Sequence, residues 1–402
     1  MAETKSLTVS CLCGAATHTF TVPTSSLPIA SHLCNCTTSR RISGTLLTSY
    51  INITHPTPSK PIPPKPDLSA LTPYPSSGIL TRYFCRTCGT HMYLEYAVDG
   101  HFEAATGTLR LDKEEGEGIE GVVEYQSCMW IEDTRDGGGS RFITHVGGKQ
   151  LERYLQEPNF TSRVPLDWRV DTPPSTAKDT FQKGMRKTQA THATCHCAGV
   201  QFWITPPNEA SKTASSPYSD LLIPYHLGPN ASENPRNHPW WLGGSNRDRF
   251  LAGTCACTTC RRALGFDITF WAFVPAVNIF LDADCTLPFS HGEGQTREYW
   301  GSMSTFRSSS NVTRTFCRKC GANVFWDGDE RPSIIDVSVG LLNADDGARA
   351  EHILTWWPGR VSFAEDAQNK RLIKGLEDGL KKWAVENNGK ECVAVWEHLA
   401  KQ

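Results

Sequence analysis

The stretch CACTTCRRALG, residues 255–265, has a counterpart in the first half of the chain, CNCTTSRRISG at residues 34–44. Seven of the eleven positions are identical and the two copies align without a gap. The sixth position differs, because Cys260 of the second copy corresponds to Ser39 of the first. Three cysteines spaced C-x-C-x-x-C can all reach one metal ion. The second copy therefore predicts a metal site that the first copy has partly lost.

Two further cysteine motifs accompany each copy, in the same order along the chain. A C-x-C pair precedes the stretch, and a C-x-x-C pair follows it inside the pattern T-R-x-F-C-x-x-C-G, at residues 81–89 and 313–321. The spacing between motifs differs from one half to the other. The pattern indicates an old duplication of one unit, followed by changes in loop length.

The outer cysteine pairs predict two closed metal sites. Neither pair completes a tetrahedron alone, but a C-x-C and a C-x-x-C pair together supply four thiolates with no open position, as in structural zinc sites. The binding free energy of such a site is part of the folding free energy. An iron–sulfur cluster is the alternative occupant. The two predicted sets are Cys11, Cys13, Cys85 and Cys88, and Cys195, Cys197, Cys317 and Cys320.

The inner set of the second half predicts a different kind of site. Cys255, Cys257 and Cys260 supply three thiolates and leave the fourth position open to water or substrate, as catalytic zinc requires. The alternative is a nearby histidine or cysteine that closes this site as well. In the first half Cys34 and Cys36 remain as candidate ligands. Because Ser39 offers only a neutral hydroxyl, we expect that site to be empty or weakly filled, unless His32 replaces the lost thiolate.

Metal binding is preferred over disulfides for these cysteines. Thirteen of the sixteen cysteines lie in the short-spaced motifs, which suit two ligands of one ion better than a bridge between neighbours. Counting complete ligand sets predicts about three zinc ions per chain, two structural and one catalytic. The remaining cysteines, Cys128, Cys285 and Cys392, are interpreted as small buried apolar residues.

Composition and charge limit the classes of function. A net charge of −2 gives no reason to expect nucleic acid or an anionic membrane as a partner. The N-terminus has no apolar segment of the kind found in secretory signals, and the longest apolar run, residues 268–281, is too short to span a bilayer. We therefore predict a cytoplasmic protein that binds a small molecule and neither nucleic acid nor membrane.

The chain divides into four predicted segments. They are a first domain at 1–156, a linker at 157–193, a second domain at 194–363 and a helical segment at 364–402. Residues 54–75 contain eight prolines and predict a surface loop without a helix or a central strand. Residues 206–244 form an insertion that is either a lid over the site or a tolerated loop. Alternating runs predict continuous strands at 102–109, 270–280 and 334–342.

The order and spacing of the seven cysteines in the second half resembles the glutathione-dependent formaldehyde-activating enzyme family, also called the centromere protein V/GFA domain family. The resemblance covers both halves. It implies a mainly β fold, with two tandem zinc-binding domains of the β-tent type followed by the C-terminal helix. It also implies that the closed sets are structural and that Cys255, Cys257 and Cys260 bind the catalytic zinc. Ser39 departs from the family pattern and puts the activity of the first domain in doubt.

The resemblance implies a carbon–sulfur lyase that acts on the adduct of a thiol such as glutathione with formaldehyde or another small carbonyl compound. Arg261, Arg262 and Arg318 are candidates to hold a carboxylate of the thiol, or are surface or packing residues. The alternative function is a zinc-stabilised binding or scaffold protein without turnover. Zinc-dependent deamination is set aside, because the sequence lacks the P-C-x-x-C unit that this chemistry requires.

Overall fold

A computed structural model describes residues 3–54, 65–110, 119–170, 190–228, 230–289 and 298–399. The fold is mainly β, as predicted, with a long helix at the C-terminus. We call residues 3–170 the first half and residues 190–399 the second half.

The strands of the first half are, in chain order, β1 (Thr4–Ser10), β2 (Thr17–Pro23), β3 (Ile29–Cys34), β4 (Tyr50–Asn52), β5 (Leu71–Pro75), β6 (Leu80–Cys85), β7 (His91–Tyr96), β8 (Phe102–Ala105), β9 (Leu109–Arg110), β10 (Val123–Met129), β11 (His145–Val146), β12 (Lys149–Gln150) and β13 (Glu152–Arg153). Those of the second half are β14 (Thr191–Thr194), β15 (Gln201–Ile204), β16 (Leu242–Gly243), β17 (Arg249–Cys255), β18 (Thr269–Pro275), β19 (Ile279–Phe280), β20 (Met303–Ser309), β21 (Val312–Cys317), β22 (Asn323–Gly328), β23 (Ile334–Ser338), β24 (Leu342–Asn343) and β25 (Leu354–Trp356). The described α-helices are α1 (Thr37–Ser43), α2 (Thr258–Leu264) and α3 (Lys370–Leu399).

Both halves use the same strand order. In the first half an antiparallel sheet runs β4-β8-β7-β6-β5, and a small sheet runs β2-β1-β9. In the second half the order β18-β23-β22-β21-β20 repeats the larger sheet, and β15-β14-β24 repeats the smaller one. Both halves also contain a later strand that pairs in parallel with the strand preceding the short helix. This strand is β10, beside β3, in the first half and β25, beside β17, in the second. The duplication read from the cysteine motifs is thus a duplication of topology.

A strand-to-helix corner carries the repeated stretch in each half. In the second half β17 ends at Cys255, and Cys257 caps α2 by accepting a hydrogen bond from the Cys260 backbone N–H at 3.2 Å. The helix stops at Gly265, whose φ of +91° belongs to the left-handed region that favours glycine. Cys36, α1 and Gly44 repeat this corner in the first half. The C-x-C-x-x-C spacing therefore places its thiols along one strand end and the first turn of one helix.

The two halves pack against each other through these corners. The Gly340 N–H donates to the Gly44 carbonyl at 2.9 Å, and the Gly107 N–H donates to the Gly265 carbonyl, also at 2.9 Å. Helix α1 thus ends against the 3-10 turn that follows β23, and helix α2 ends against the 3-10 turn that follows β8. A Cβ on Gly265 would lie 2.2 Å from the carbonyl oxygen of His91, so the approach requires glycine.

His91 lies in this contact between the halves. Its Nε2–H donates to the carbonyl oxygens of Ile42, at 2.9 Å, and Gly321, at 3.1 Å. The residue at the same place in the second half is Asn323, since both lie three residues after the last cysteine of their C-x-x-C pair. The side chain is buried, so the contact holds the imidazole in its neutral form.

We expect the stability of the fold to decrease in acid because of His91. Burial, together with the Arg82 charge, lowers the pKa of His91 to about 4. A depressed folded-state pKa gives stability that is complete above the unfolded-state pKa, near 6.5, and is lost as the pH falls toward about 4. The free energy of unfolding should decrease by roughly 2 kcal/mol more between pH 7 and pH 5 in the wild type than in His91→Asn. Denaturant titrations at both pH values measure this difference, and equal decreases would contradict the assignment.

Several predictions about single elements need correction. The run predicted as a strand at 102–109 is interrupted by a 3-10 turn at Thr106–Thr108, because the turn meets Gly265 of the other half. The run at 334–342 is interrupted in the same way at Val339–Leu341, and the run at 270–280 breaks at Ala276–Asn278. Each interruption turns the chain from one sheet to another.

The proline-rich segment is not a loop throughout. Residues 55–64 lie outside the described residues, but Leu71–Pro75 form β5. This strand lies at the edge of its sheet, where proline is tolerated because no N–H is needed on the open side. For the described residues 65–75 the exclusion of a central strand is therefore confirmed, and the loop prediction is wrong for Leu71–Pro75.

The ends of the chain and of the linker also differ in detail from the prediction. The C-terminal helix begins at Lys370 and not near residue 364, because the Asn369 side chain accepts a hydrogen bond from the Leu372 N–H at 2.9 Å and caps the first turn. Its apolar residues Leu372, Leu376 and Leu380 are buried, as a packing helix requires. Strand β14 begins at Thr191, within the predicted linker, most of which lies outside the described residues. Within the part of the chain that the structure describes, every helix is too short or too polar to cross a membrane.

Candidate metal centres

The outer cysteines of each half converge as two sets of four. The four Sγ atoms of each set lie within 4.8 Å of one another. In the first half Cys13 Sγ lies 3.5 Å from Cys11 Sγ and 3.6 Å from Cys85 Sγ. In the second half Cys197 Sγ lies 3.6 Å from Cys195 Sγ and 3.5 Å from Cys317 Sγ. Such spacing is that of four thiolates around one tetrahedral ion.

The ionisation of these thiols also fits a bound cation. Hydrogen bonds from Cys11 and Cys85 lower the pKa of Cys88, while hydrogen bonds to Cys11 and Cys88 raise that of Cys85. Thiols held this close share protons and cannot all ionise unless a positive charge lies between them. A divalent ion supplies that charge, and a closed four-thiolate set leaves it no free coordination position.

The third set contains three cysteines of the second half and no more. The Sγ atoms of Cys255, Cys257 and Cys260 lie within 4.8 Å of one another, and no described histidine, cysteine or carboxylate joins them as a fourth donor. Hydrogen bonds from Cys255 and Cys257, together with the Arg314 charge, hold the pKa of Cys260 well below its usual value. The residues fit an ion that keeps one coordination position open.

A cavity of about 210 Å³ lies against this set. Residues on one face of the sheet formed by β17, β18, β21, β22 and β23 line this cavity. The strand registers bring three of them together, since Trp326 pairs with Arg314 on one side and with Asp336 on the other. Aromatic rings from Trp271 and Phe273 of β18 line the same cavity. The three-thiolate set therefore borders a small cavity whose lining combines aromatic rings with polar and charged side chains.

The insertion at 206–244 contributes to the cavity wall. Ser219, Asp220 and Tyr225 line it, and Asp220 accepts hydrogen bonds from Arg360 and from the Phe363 N–H beside the cavity. The two tryptophans of the insertion, Trp240 and Trp241, are only 7% and 0% exposed. The insertion thus covers the site through its polar loop, while its tryptophans anchor the loop to the core.

Five charged side chains line the cavity, namely Asp220, Arg314, Glu330, Arg331 and Asp336. Arg331 Nη2 lies 2.8 Å from an Asp336 carboxylate oxygen, and its guanidinium stacks over Trp326 at 4.3 Å from the ring centroid. Burial raises the pKa of Asp336 to about 6, against the opposing charge of Arg331. Arg314 donates from Nη2 to Cys260 Sγ at 3.3 Å and from Nε to Ser308 Oγ at 3.2 Å. Arg314 thereby belongs both to the thiolate set and to the cavity.

The corresponding place in the first half is filled by hydrogen bonds within the protein. Ser39 Oγ, 3.7 Å from Cys34 Sγ, accepts a hydrogen bond from Arg82 Nη2 at 3.0 Å, as Cys260 does from Arg314. Among the described residues no further cysteine, histidine or carboxylate joins Cys34 and Cys36. His32 does not replace the missing thiolate, because its Nδ1 lies 2.8 Å from Ser127 Oγ instead.

The arginines singled out from the sequence lie outside the cavity lining. Arg261 Nη1 donates to the carbonyl oxygens of Gly107 and Leu109, and Arg262 Nη2 donates to that of Cys11 at 2.6 Å. Both are therefore packing residues between the halves, and Arg318 is exposed. The arginine that contacts the three-thiolate set is Arg314, which the sequence did not single out. Its signal was present, since the repeated T-R-x-F-C pattern contains it, but the pattern alone does not tell which way the side chain points.

The prediction that Cys128, Cys285 and Cys392 are buried is correct for only part of this group. Cys128 is buried, as predicted. Cys285 is partly exposed, in a turn with a φ of +53°, so the interpretation as a buried residue is wrong there. The side chain of Cys392 lies outside the described residues.

Fold and thiol sets together define a duplicated β protein built to hold metal ions on cysteine. The profile of the family described as glutathione-dependent formaldehyde-activating enzyme (GFA) matches residues 6–119 and 246–357, more than half of the chain. The chain therefore belongs to the GFA family, as two tandem copies. Comparisons with curated proteins and with solved structures gave no match.

Replacing Ser39 by cysteine should create a metal site in the first half. The side chain already lies at the position of Cys260, so Ser39→Cys would complete a third thiolate beside Cys34 and Cys36. We expect the zinc content to rise from about three ions per chain to about four. Ser43→Cys is the matched control, because Ser43 is equally buried on the same helix but faces the Ser39 carbonyl. Metal analysis of the purified proteins decides, and an unchanged content in Ser39→Cys would contradict the expectation.

Proposed function

We propose that the second half is a zinc-dependent enzyme of carbon–sulfur lyase type, which makes or breaks the bond between a thiol and the carbon of formaldehyde or another small carbonyl compound. The observation that carries this proposal is the open set of Cys255, Cys257 and Cys260 against a small cavity lined by aromatic and charged side chains. The description of the family supports glutathione as the thiol. We retain the cytoplasm as the proposed compartment.

The proposal assigns roles to three groups of residues. Cys255, Cys257 and Cys260 would hold the zinc ion, which when bound supplies a Lewis acid for a thiolate or a carbonyl oxygen. Two outer sets of four thiolates would hold structural ions. The cavity volume of about 210 Å³ is below the range of roughly 300–1,000 Å³ typical for larger ligands. The reacting end of the adduct therefore enters, and the peptide part of a thiol such as glutathione stays toward the insertion.

The residues that line the cavity favour this chemistry over water activation. Three thiolates reduce the net charge of a divalent ion to about −1 by simple counting, so the ion is a weaker Lewis acid than one on neutral histidines. Trp271, Phe273 and Trp326 would lower the polarity around the reacting atoms. Sulfur and carbonyl substrates suit such a centre better than hydroxide does.

The alternative function, a zinc-stabilised binding protein without turnover, is supported by the first half. There the third ligand is absent and Arg82 is hydrogen-bonded to Ser39. The experiment that separates the two functions follows formation of the adduct from glutathione and formaldehyde, by NMR exchange spectroscopy, with and without the zinc-loaded protein. Exchange faster than the uncatalysed background supports the enzyme. No acceleration with glutathione, together with none with smaller thiols, would support the binding protein.

A further inference from the structure

Arg314 differs from its counterpart Arg82 in one hydrogen bond. In the first half all three donor groups of Arg82 are used, with Nε on Ser76, Nη2 on Ser39 and Nη1 on the Tyr50 hydroxyl at 3.0 Å. In the second half Arg314 uses Nε on Ser308 and Nη2 on Cys260, and Nη1 has no partner among the described residues. The two arginines thus share two contacts and differ in the third.

The cause of the difference is the exchange of Tyr50 for Trp271. Both residues lie six positions after the glycine that ends the short helix, and both occupy the same place in the sheet, Tyr50 opposite Ala105 and Trp271 opposite Ser338. Tyrosine presents a hydroxyl to the arginine, whereas tryptophan has no oxygen to accept the hydrogen bond. Arg314 is only 3% exposed, so this donor lies away from bulk solvent.

A buried guanidinium N–H without a hydrogen-bond partner costs free energy, and it costs more than an unpaired donor on a neutral group. Here it lies in the wall of the cavity, on the residue that also touches Cys260. A ligand that places sulfur at the open thiolate set and an oxygen next to it would satisfy the donor. The hydroxyl of a thiol–carbonyl adduct has this arrangement, since its oxygen is bonded to the carbon that carries the sulfur.

We propose that Nη1 of Arg314 is the donor that binds the oxygen atom of the thiol–carbonyl adduct, and that Trp271 keeps this donor free. The inference rests on the proposed function and adds a substrate-binding catalytic residue to it. When the thiol sulfur bonds to the carbonyl carbon, the π electrons of the C=O bond pass to the oxygen, and the proton of the thiol ends on that oxygen. Arg314 stabilises the developing negative charge by its hydrogen bond and keeps its own proton.

The test measures binding of two thiols of matched size to cobalt-substituted protein. 2-Mercaptoethanol carries a hydroxyl, one carbon farther from the sulfur than in the adduct, where propanethiol carries a methyl group. Binding of both thiols is followed by the change in the cobalt–thiolate absorption. Trp271→Tyr supplies an internal hydroxyl, as Tyr50 does in the first half. We expect it to reduce the preference for mercaptoethanol over propanethiol about tenfold, the value of one hydrogen bond to a charged donor. Trp271→Phe, which alters the ring without adding a hydroxyl, should retain the wild-type preference.

Arg314→Met should lose the preference as Trp271→Tyr does, with the cobalt content measured in the same samples. If Arg314 only offsets the charge of Cys260, Arg314→Met weakens the binding of both thiols equally and Trp271→Tyr has no selective effect. That result would overturn the inference but leave the proposed function intact. If neither thiol changes the cobalt spectrum of the wild type, the open site does not bind thiols, and the proposed function and the inference fail together.

Discussion

Cys260→Ser is expected to abolish turnover and to remove one zinc ion per chain. Cys260 is the ligand that the first half lacks, and without it two thiolates remain, Cys255 and Cys257, which make a poor zinc site. We expect about two ions per chain and a rate of adduct formation equal to the uncatalysed background. The fold should persist, because the outer sets of four thiolates are untouched and because Ser39 occupies the same position in the folded first half.

The matched control for this variant is Cys128→Ser. It makes the same chemical change at a buried cysteine that belongs to none of the three thiolate sets. Zinc content by elemental analysis, far-UV circular dichroism and the exchange rate with glutathione and formaldehyde are measured on both variants. Full activity of Cys260→Ser, or its unfolding, would contradict the assignment of an open catalytic site to this set.

Cys88→Ser is expected to have the largest effect on stability. One ligand of the four-thiolate set of the first half is lost, and the binding free energy of a structural zinc ion is folding free energy. We expect the midpoint of thermal unfolding to decrease by about 10 °C or more, corresponding to several kcal/mol. The zinc content should decrease by at least one ion per chain.

The same variant should also affect the second half. Thr90 Oγ1 lies 3.1 Å from Cys88 Sγ and donates to the Arg262 carbonyl of α2 at 2.8 Å, while Arg262 Nη2 donates to the Cys11 carbonyl. Helix α2 carries Cys260, so the first metal set and the open set are connected through a few hydrogen bonds. We expect a chelator to remove zinc from the open set faster in Cys88→Ser than in the wild type.

Thr90→Val separates this connection from the loss of a ligand. It removes the hydroxyl between Cys88 and Arg262 and leaves all four thiolates in place. We expect a full zinc content and faster release from the open set, at nearly unchanged thermal stability. Release rates equal to the wild type in both Thr90→Val and Cys88→Ser would indicate that the halves do not communicate through α2.

The three cysteine sets could be predicted from the sequence because cysteine spacing is a local property with a direct chemical meaning. A thiolate is a ligand whatever surrounds it, and C-x-C and C-x-x-C pairs fix which thiols can reach one ion. The duplication allowed the two halves to be compared position by position, and that comparison identified Ser39 as the position of the lost thiolate. The repeat predicted that the two halves share one fold, whereas the mainly β character of that fold came from the family resemblance.

The residues that line the cavity could not be predicted from the sequence in the same way. Arg314 and Trp271 lie in different motifs, and only the strand registers bring them to one face of the sheet. Arg261 and Arg262, which stand beside the ligands in the sequence, point toward the first half, because the helix turns them away from the cavity. Proximity in sequence thus predicted well which cysteines converge, and predicted the lining of the cavity poorly.

The paired contacts of Gly44 with Gly340 and of Gly265 with Gly107 have a consequence for the history of the chain. Two copies that touch through the same atoms on both sides have the symmetry of an isologous dimer, here joined in one polypeptide. In such a fusion each copy serves as the partner subunit of the other. Under the proposed function, the first copy could lose the chemistry of its metal centre while its helix and turn stay under selection, since the second copy is incomplete without a partner to pack on.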